Sequence, residues 1–224
     1  MNIVDTIILF FLAMGAVVGF KKGIIENVVS FVGTIIVIMI SFALKNRIAI
    51  IMYTYLPFFK VGMPVINILI YEALAFLLVF SLLSVLLKIL IKISGIIEKF
   101  LDFTIVLAIP SKILGALFGF LEMYLFIFVV LFSLAAFNFN NSYITDSKIG
   151  DFMITHTPFL SKGLDSTYKA IKEVIQLNKD YKGSQEQDLL EEKGIKILLD
   201  YNIITKENLN KLVEKGKIKP ITTH

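Results

Sequence analysis

The chain has 224 residues, of which 57% are hydrophobic and only 18% charged, and its mean hydropathy is +0.81. This balance excludes a soluble globular domain and predicts an all-α, polytopic membrane protein. Cysteine is absent, so no disulfide framework, thiolate metal site or thiol nucleophile can be built, and the formal net charge of +4 is dispersed among apolar segments, which suits membrane orientation rather than nucleic-acid binding.

Ile3 to Phe20 contains one charge, Asp5, and at about 1.5 Å per residue it reaches about 27 Å, close to the hydrocarbon thickness of a bilayer. It reads as a first span and, lacking a basic n-region, as a retained helix rather than a cleaved signal peptide. Gly15, Gly19 and Gly23 then fall at every fourth position across the end of this run and the start of the next. In lipid such a face brings helix backbones close together, either within one chain or between protomers of a homo-oligomer. Lys21 and Lys22 sit where the run pauses and predict a tight turn, with Gly23 permitting the reversal.

The second span is expected over Ile24–Leu44, with Glu26 near its start and Gly33 within it, ended by Lys45, Asn46 and Arg47. Ile48–Met63 holds Pro57 and Lys60 and is followed by Pro64, so it is read as an interfacial or re-entrant segment with Tyr53 and Tyr55 at headgroup level. A third span follows over about Val65–Leu87, with Glu72 as its only charge. From Lys88 to Asp102, Ile89, Ile93, Ile96, Ile97 and Phe100 recur at helical spacing, while Lys88, Lys92, Glu98 and Lys99 take other positions. That pattern predicts a separate amphipathic helix lying in the membrane plane. Phe103 to Ile109 is an apolar stretch that either dips into the bilayer or stays outside it. Pro110, Ser111 and Lys112 precede a fourth span over about Ile113–Phe137, which repeats the four-residue glycine spacing at Gly115 and Gly119.

Two domains are expected: a four-helix transmembrane part, 1–137, and a water-exposed helical tail, 138–224. Within the tail, a helix is predicted over Phe159–Leu177 and another over Gln185 to about Tyr201. Thr205 is placed as the N-cap of a last short helix closed near Gly216. So small an apolar surface predicts docking on the membrane or on a partner. Counting basic residues, Lys21, Lys22, Lys88, Lys92, Lys99 and Lys112 at the first and third connections outnumber Lys45, Arg47, Lys60 and Lys148 on the other face. The first and third connections are therefore expected in the cytoplasm and both termini outside.

Glu72 and Glu122 have most to explain, because an ionisable side chain inside a span is costly. They are read either as a protonatable pair beside a polar cavity or as structural groups, Glu72 reaching the interface and Glu122 bonded to a neighbouring helix. Asp5 is read as a helix cap or a specific polar site, and Lys21 and Lys22 as topology anchors. The two histidines, His156 and His224, have no ligand-type neighbours in sequence, and no nucleophile motif or phosphate-cradling loop is present. No enzyme activity, metal or cofactor is therefore expected.

Asp5, Gly15, Gly19-Phe20-Lys21-Lys22-Gly23, Glu26 and Gly33, followed by Leu101-Asp102 and Leu114-Gly115-Ala116-Leu117-Phe118-Gly119, resemble the colicin V production protein family. The resemblance covers about residues 1–137 and departs in two places: eleven residues separate Asp102 from Leu114, and Glu122 stands near where the family often has a basic residue. It implies a protein of the bacterial cytoplasmic membrane with about four membrane helices, linked to toxin-peptide production or export and to envelope homeostasis. The functions expected are a non-enzymatic accessory or scaffold factor with a secretion or envelope partner, a small transporter or channel using Glu72 and Glu122, or a sensor acting through the tail.

Overall fold

The computed structural model describes residues 2–58, 63–94, 108–137, 147–157, 161–181 and 186–220. Among the described residues the only regular elements are helices: α1 (Ile3–Lys22), α2 (Ile24–Tyr55), α3 (Pro64–Ser94), α4 (Ala108–Phe137), α5 (Lys148–His156), α6 (Ser161–Tyr181), α7 (Gln187–Asp200) and α8 (Lys206–Glu214). Four of them, α1 to α4, are long and apolar enough to cross a membrane.

Three boundaries differ from the sequence expectation. The α2 helix does not stop at Lys45-Asn46-Arg47 but runs to Tyr55, so Ile48–Tyr55 is neither re-entrant nor a separate interfacial segment. Its continuity follows from a stripe at four-residue spacing, Lys45, Ala49 and Tyr53, all buried on one face. Tyr53, expected with one wet edge, is fully enclosed, whereas Tyr55 is exposed. The α3 helix likewise continues through Lys88 and Lys92 to Ser94 instead of yielding to a second, in-plane helix. The α4 helix begins at Ala108, because a proline such as Pro110 is tolerated within a first turn. Lys60, residues 95–107 with Lys99 and Asp102, and His224 lie outside the described residues.

At about 1.5 Å per residue the 32 residues of α2 reach about 48 Å and the 31 of α3 about 46 Å, well beyond a hydrocarbon core of about 30 Å. Burial along α3 shows where the environment changes. Val65 to Glu72 are buried on every side of the helix, whereas Leu78, Leu82, Val85, Leu86, Ile89, Leu90 and Ile93 are exposed apolar side chains. A helix apolar and buried all round is wrapped by protein, and an exposed apolar face suits lipid.

The helices form two compact units. The first comprises the described residues of Met1–Ser41, Phe80–Leu131 and Ser142–Met153. Its assembly depends on α1 and α4 approaching through their glycines. A Cβ placed on Gly19 would strike the Gly115 carbonyl and come 2.8 Å from Gly119 Cα, and one on Gly119 would lie 2.6 Å from Gly19 Cα. Gly33 admits Leu87 in the same way where α2 meets α3. The glycine faces of α1 and α4 are thus used against each other within one chain. Between α1 and α2, Gly23 adopts φ 84°, a conformation that disfavours any side chain. Buried Asn27 donates its amide to the Gly19 carbonyl at 3.0 Å and to that of Gly23, while Ser111 accepts from the Ile24 N–H at 3.3 Å. These bonds satisfy backbone groups that a helix end leaves open. Aromatic contacts, Phe31 with Phe118 and Phe80 with Phe126, fill the space between helices.

The second unit comprises the described residues of Phe42–Val79, Phe132–Asn141 and Ile154–His224. Here the tail has a core partner of its own: the C-terminal part of α2 and the N-terminal part of α3. Gly194 of α7 lets the chain close on Met63 and Val65, whose side chains would lie 3.1 Å from an added Cβ. Asn178 of α6 accepts from the Met63 N–H at 3.0 Å, and Lys217 donates to the Leu56 carbonyl at 3.0 Å. Ala170, Ile171, Val174, Leu198, Ile204 and Leu212 are buried in this unit. The tail, expected to dock on the membrane or on a partner, packs on the α2 and α3 of its own chain, where the enclosed part of α3 offers apolar side chains together with Asn67 and Glu72.

Candidate functional site

Glu72 is held at the centre of the second unit. It lies in the third turn of α3 with 4% of its surface exposed, and each carboxylate oxygen has a partner. Tyr53 of α2 donates to Oε1 at 2.7 Å and Asn208 of α8 donates to the same oxygen at 3.2 Å, while Lys45 of α2 pairs with Oε2. The Lys45 ammonium has two further acceptors, the Ile203 carbonyl at 2.9 Å and Asn46 Oδ1 at 3.0 Å, so its three protons are all used. A charge removed from water needs this kind of complete pairing. Asn208 is aimed by the cap of its own helix: Thr205, the N-cap, accepts from the Asn208 N–H at 3.2 Å and donates to Asn208 Oδ1 at 2.6 Å, turning the amide NH₂ toward Glu72. Thr205 was identified as a cap from sequence, but Lys45, Tyr53 and Asn208 were not identified as partners of Glu72. The four-residue stripe of Lys45, Ala49 and Tyr53 was the available signal for the first two; Asn208, 136 residues from Glu72, had none.

Beside this network is a small cavity of about 30 Å³ with Phe76, Phe132, Ile171 and Ser133 among its walls. The Ser133 hydroxyl is buried there without a hydrogen-bond partner among the described residues.

Asp5 anchors a different junction, in the first unit. It is 2% exposed; Oδ1 accepts from the Ser147 hydroxyl at 2.6 Å and from the Ile149 N–H at 3.1 Å, and Oδ2 accepts from the Asn2 N–H at 2.9 Å. Ser147 directly precedes α5 and accepts from the Gly150 N–H at 2.9 Å. One carboxylate therefore serves the open N–H groups at the starts of both α1 and α5, where a negative charge also meets the helix dipole favourably.

Glu122 has other surroundings. It lines a cavity of about 620 Å³ in the first unit, bounded by α1, α2, α3 and α4. Its lining mixes polar side chains, Lys22, Glu26, Asn27, Ser30, Lys88, Lys92 and Glu122, with apolar ones, Met14, Val18, Ile91, Met123 and Phe126. Lys22 and Glu26 form an ion pair of 2.8 Å, and Glu122 lies within electrostatic reach of Lys22 and Lys88. The structure thus gives Glu72 and Glu122 separate settings: Glu72 belongs to a closed network and Glu122 to an open cavity. Lys88 and Lys92, read from sequence as anchors on an in-plane helix, stand on α3 and face that cavity. Lys21 and Lys22 occupy the last turn of α1, and Lys112 places its ammonium 5.9 Å over the Phe20 ring. His156 is the last residue of α5, and no group of three potential metal ligands is found among the described residues.

Comparison with known proteins places these features in a family. The Colicin V production protein family matches residues 4–158, which contain Asp5, both glycine faces, the cavity residues, Lys45 and Glu72. Uncharacterized transmembrane protein YshB of Bacillus subtilis (strain 168) is 33% identical over 174 residues, covering 70% of this chain and 92% of that protein. No solved structure matches. With most of its length matched, including all four long apolar helices, the chain belongs to the colicin V production protein family.

Proposed function

We propose that this protein is a non-enzymatic accessory or scaffold factor of the bacterial cytoplasmic membrane, serving toxin-peptide production or export and envelope homeostasis. The observation that supports this reading is the Lys45–Glu72–Tyr53–Asn208 network, in which costly buried charge fastens the C-terminal helices to the chain's own α2 and α3. A tail fixed in this way offers partners a constant surface. In the proposed arrangement residues 1–137 hold the spans, residues 138–224 lie on the water side, and both termini are extracytoplasmic. The chain has no native cysteine, so single introduced cysteines at positions 21, 112 and 220 can report orientation through a membrane-impermeant maleimide.

The test of function is complementation in cells lacking the protein, scored by export of a colicin-type peptide and by survival under detergent stress. Lys45→Met, which releases the tail, should fail to complement, whereas Glu122→Gln should complement. The opposite pattern would overturn the scaffold reading and favour a second one, a small transporter or channel, which is supported by the cavity around Glu122. The sequence expectation gave that second reading both Glu72 and Glu122; the cavity supports the part of Glu122, while the oxygens of Glu72 are bonded to Lys45, Tyr53 and Asn208. Its own test is flux in proteoliposomes: unchanged flux and pH dependence in Glu122→Gln would end it.

A further inference from the structure

The cavity in the first unit is lined by both charged and apolar side chains, and Lys22, Glu26, Lys88 and Lys92 come from helix segments that the sequence places near a membrane boundary. Of its cations, Lys22 is already paired with Glu26 at 2.8 Å. Lys88 and Lys92 remain, one helical turn apart on α3 and both lining the cavity, with Glu122 as the one further carboxylate among the described lining residues. Among the described residues the lining therefore keeps one unmatched positive charge when all groups are ionised. Along α1, Val18 and Met14 stand one and two helical turns before Lys22, and along α4 Phe126 stands one turn beyond Glu122, so the apolar part of the lining runs along the helices from the charged end. Methionines accommodate flexible chains of varied shape. At 620 Å³ the cavity holds a headgroup and the first part of an acyl chain, but not a whole phospholipid.

We infer that this cavity is a binding site for a membrane phospholipid with an anionic headgroup, its phosphate held between Lys88 and Lys92 and its acyl chains leaving along Met14, Val18 and Phe126. Basic pockets between membrane helices bind such headgroups by direct ion pairing, and each lysine adds roughly tenfold or less to the affinity. Glu122 opposes the phosphate and tunes the site toward release. The inference stands apart from the scaffold reading and from any flux through the same space.

The experiment uses the full-length protein purified in detergent, with dioleoyl phosphatidylglycerol as the probe, dioleoyl phosphatidylcholine as the uncharged-headgroup control and inorganic phosphate as competitor. Bound lipid is counted by native mass spectrometry. Lys88→Gln with Lys92→Gln should weaken phosphatidylglycerol retention about thirtyfold, from two lysines acting together, and the Lys→Arg pair should restore most of it. Glu122→Gln should strengthen retention about fivefold, a gain that misfolding does not produce. Lys193→Gln with Lys196→Gln, both on exposed positions of α7, should change nothing. Equal loss in the α7 pair, equal retention of phosphatidylcholine, or no loss in the Lys88/Lys92 pair overturns the site. Displacement of the lipid by millimolar inorganic phosphate overturns the lipid as its occupant. Flux that survives Glu122→Gln while retention rises separates the failure of the transporter reading from that of this one.

Discussion

Replacing Lys45 by Met tests whether the Glu72 network holds the tail in place. The substitution keeps the volume and apolar stem of the side chain but withdraws the ammonium from Glu72 Oε2 and from the Ile203 carbonyl. Removing one member of a buried ion pair costs about 3–5 kcal/mol, because the other charge is left without compensation. Tyr53 and Asn208 still donate to Glu72 Oε1, so the low end applies, about 3 kcal/mol. For a chain of this size that corresponds to a fall of about 6–12 °C in Tm. Adding Glu72→Gln to Lys45→Met should recover most of the loss: the Gln carbonyl takes over as acceptor for Tyr53 and Asn208, and no uncompensated charge is left in the interior. Thermal unfolding in detergent and limited proteolysis of α7 and α8 read the two variants. A shift below about 2 °C for Lys45→Met, or a double variant less stable than the single, would refute the argument, since either means that the buried charges are not coupled.

Gly19→Ala forces a Cβ against the Gly115 and Gly119 backbones, which cannot move aside as a side chain can, and should cost about 1–3 kcal/mol as an overpacked contact. Gly33→Ala meets only the flexible Leu87 side chain and should cost less, so their order in Tm checks the geometry. Asp5→Asn should loosen α5 from α1 by about 1.5–3 kcal/mol, seen as faster hydrogen exchange at Ile149 and Gly150 with α4 unchanged. In the tail, burial raises the Glu191 pKa above its ordinary 4.5, Asp188 adds to the rise and Lys219 partly offsets it. A carboxyl with a raised folded-state value contributes stability below 4.5 that is lost as pH climbs through that value. Glu191→Gln should therefore match the wild type near pH 4 and unfold at a higher temperature at pH 7; equal Tm differences at both pH values would contradict it.

The all-helical class and the four long apolar helices were legible because lipid imposes long uninterrupted apolar runs, and the Gly23 turn because few residues tolerate its backbone. Helix ends were not. Lys45-Asn46-Arg47 marked a plausible membrane boundary, and the sequence reading equated the end of lipid with the end of the helix. The α2 helix continues because the same face that carries Lys45 goes on to Ala49 and Tyr53, and packing against α3 and the tail replaces lipid as the apolar surroundings. The same confusion affected Lys88 and Lys92: their spacing signalled a polar face, and a polar face can look toward a cavity as readily as toward headgroups.

Glu72 and Glu122 show how far local sequence reaches. Each is a lone carboxylate in an apolar run, and no residue within ten of either names the partner it meets. What separates them is long-range: Glu72 meets a lysine 27 residues before it and an asparagine 136 residues after it, while Glu122 meets an open space shared with Lys88 and the Lys22–Glu26 pair. For Glu72 the surroundings are set by protein packing: the exposed apolar face of α3 begins only at Leu78, leaving Glu72 on the half that protein encloses. A carboxylate enclosed with three donors has its charge stabilised and its position fixed, which suits fastening. One beside an open cavity keeps the freedom to exchange partners, which recognition of a ligand requires. In the proposed readings the two residues serve different tasks, and a variant at one should leave the task of the other intact.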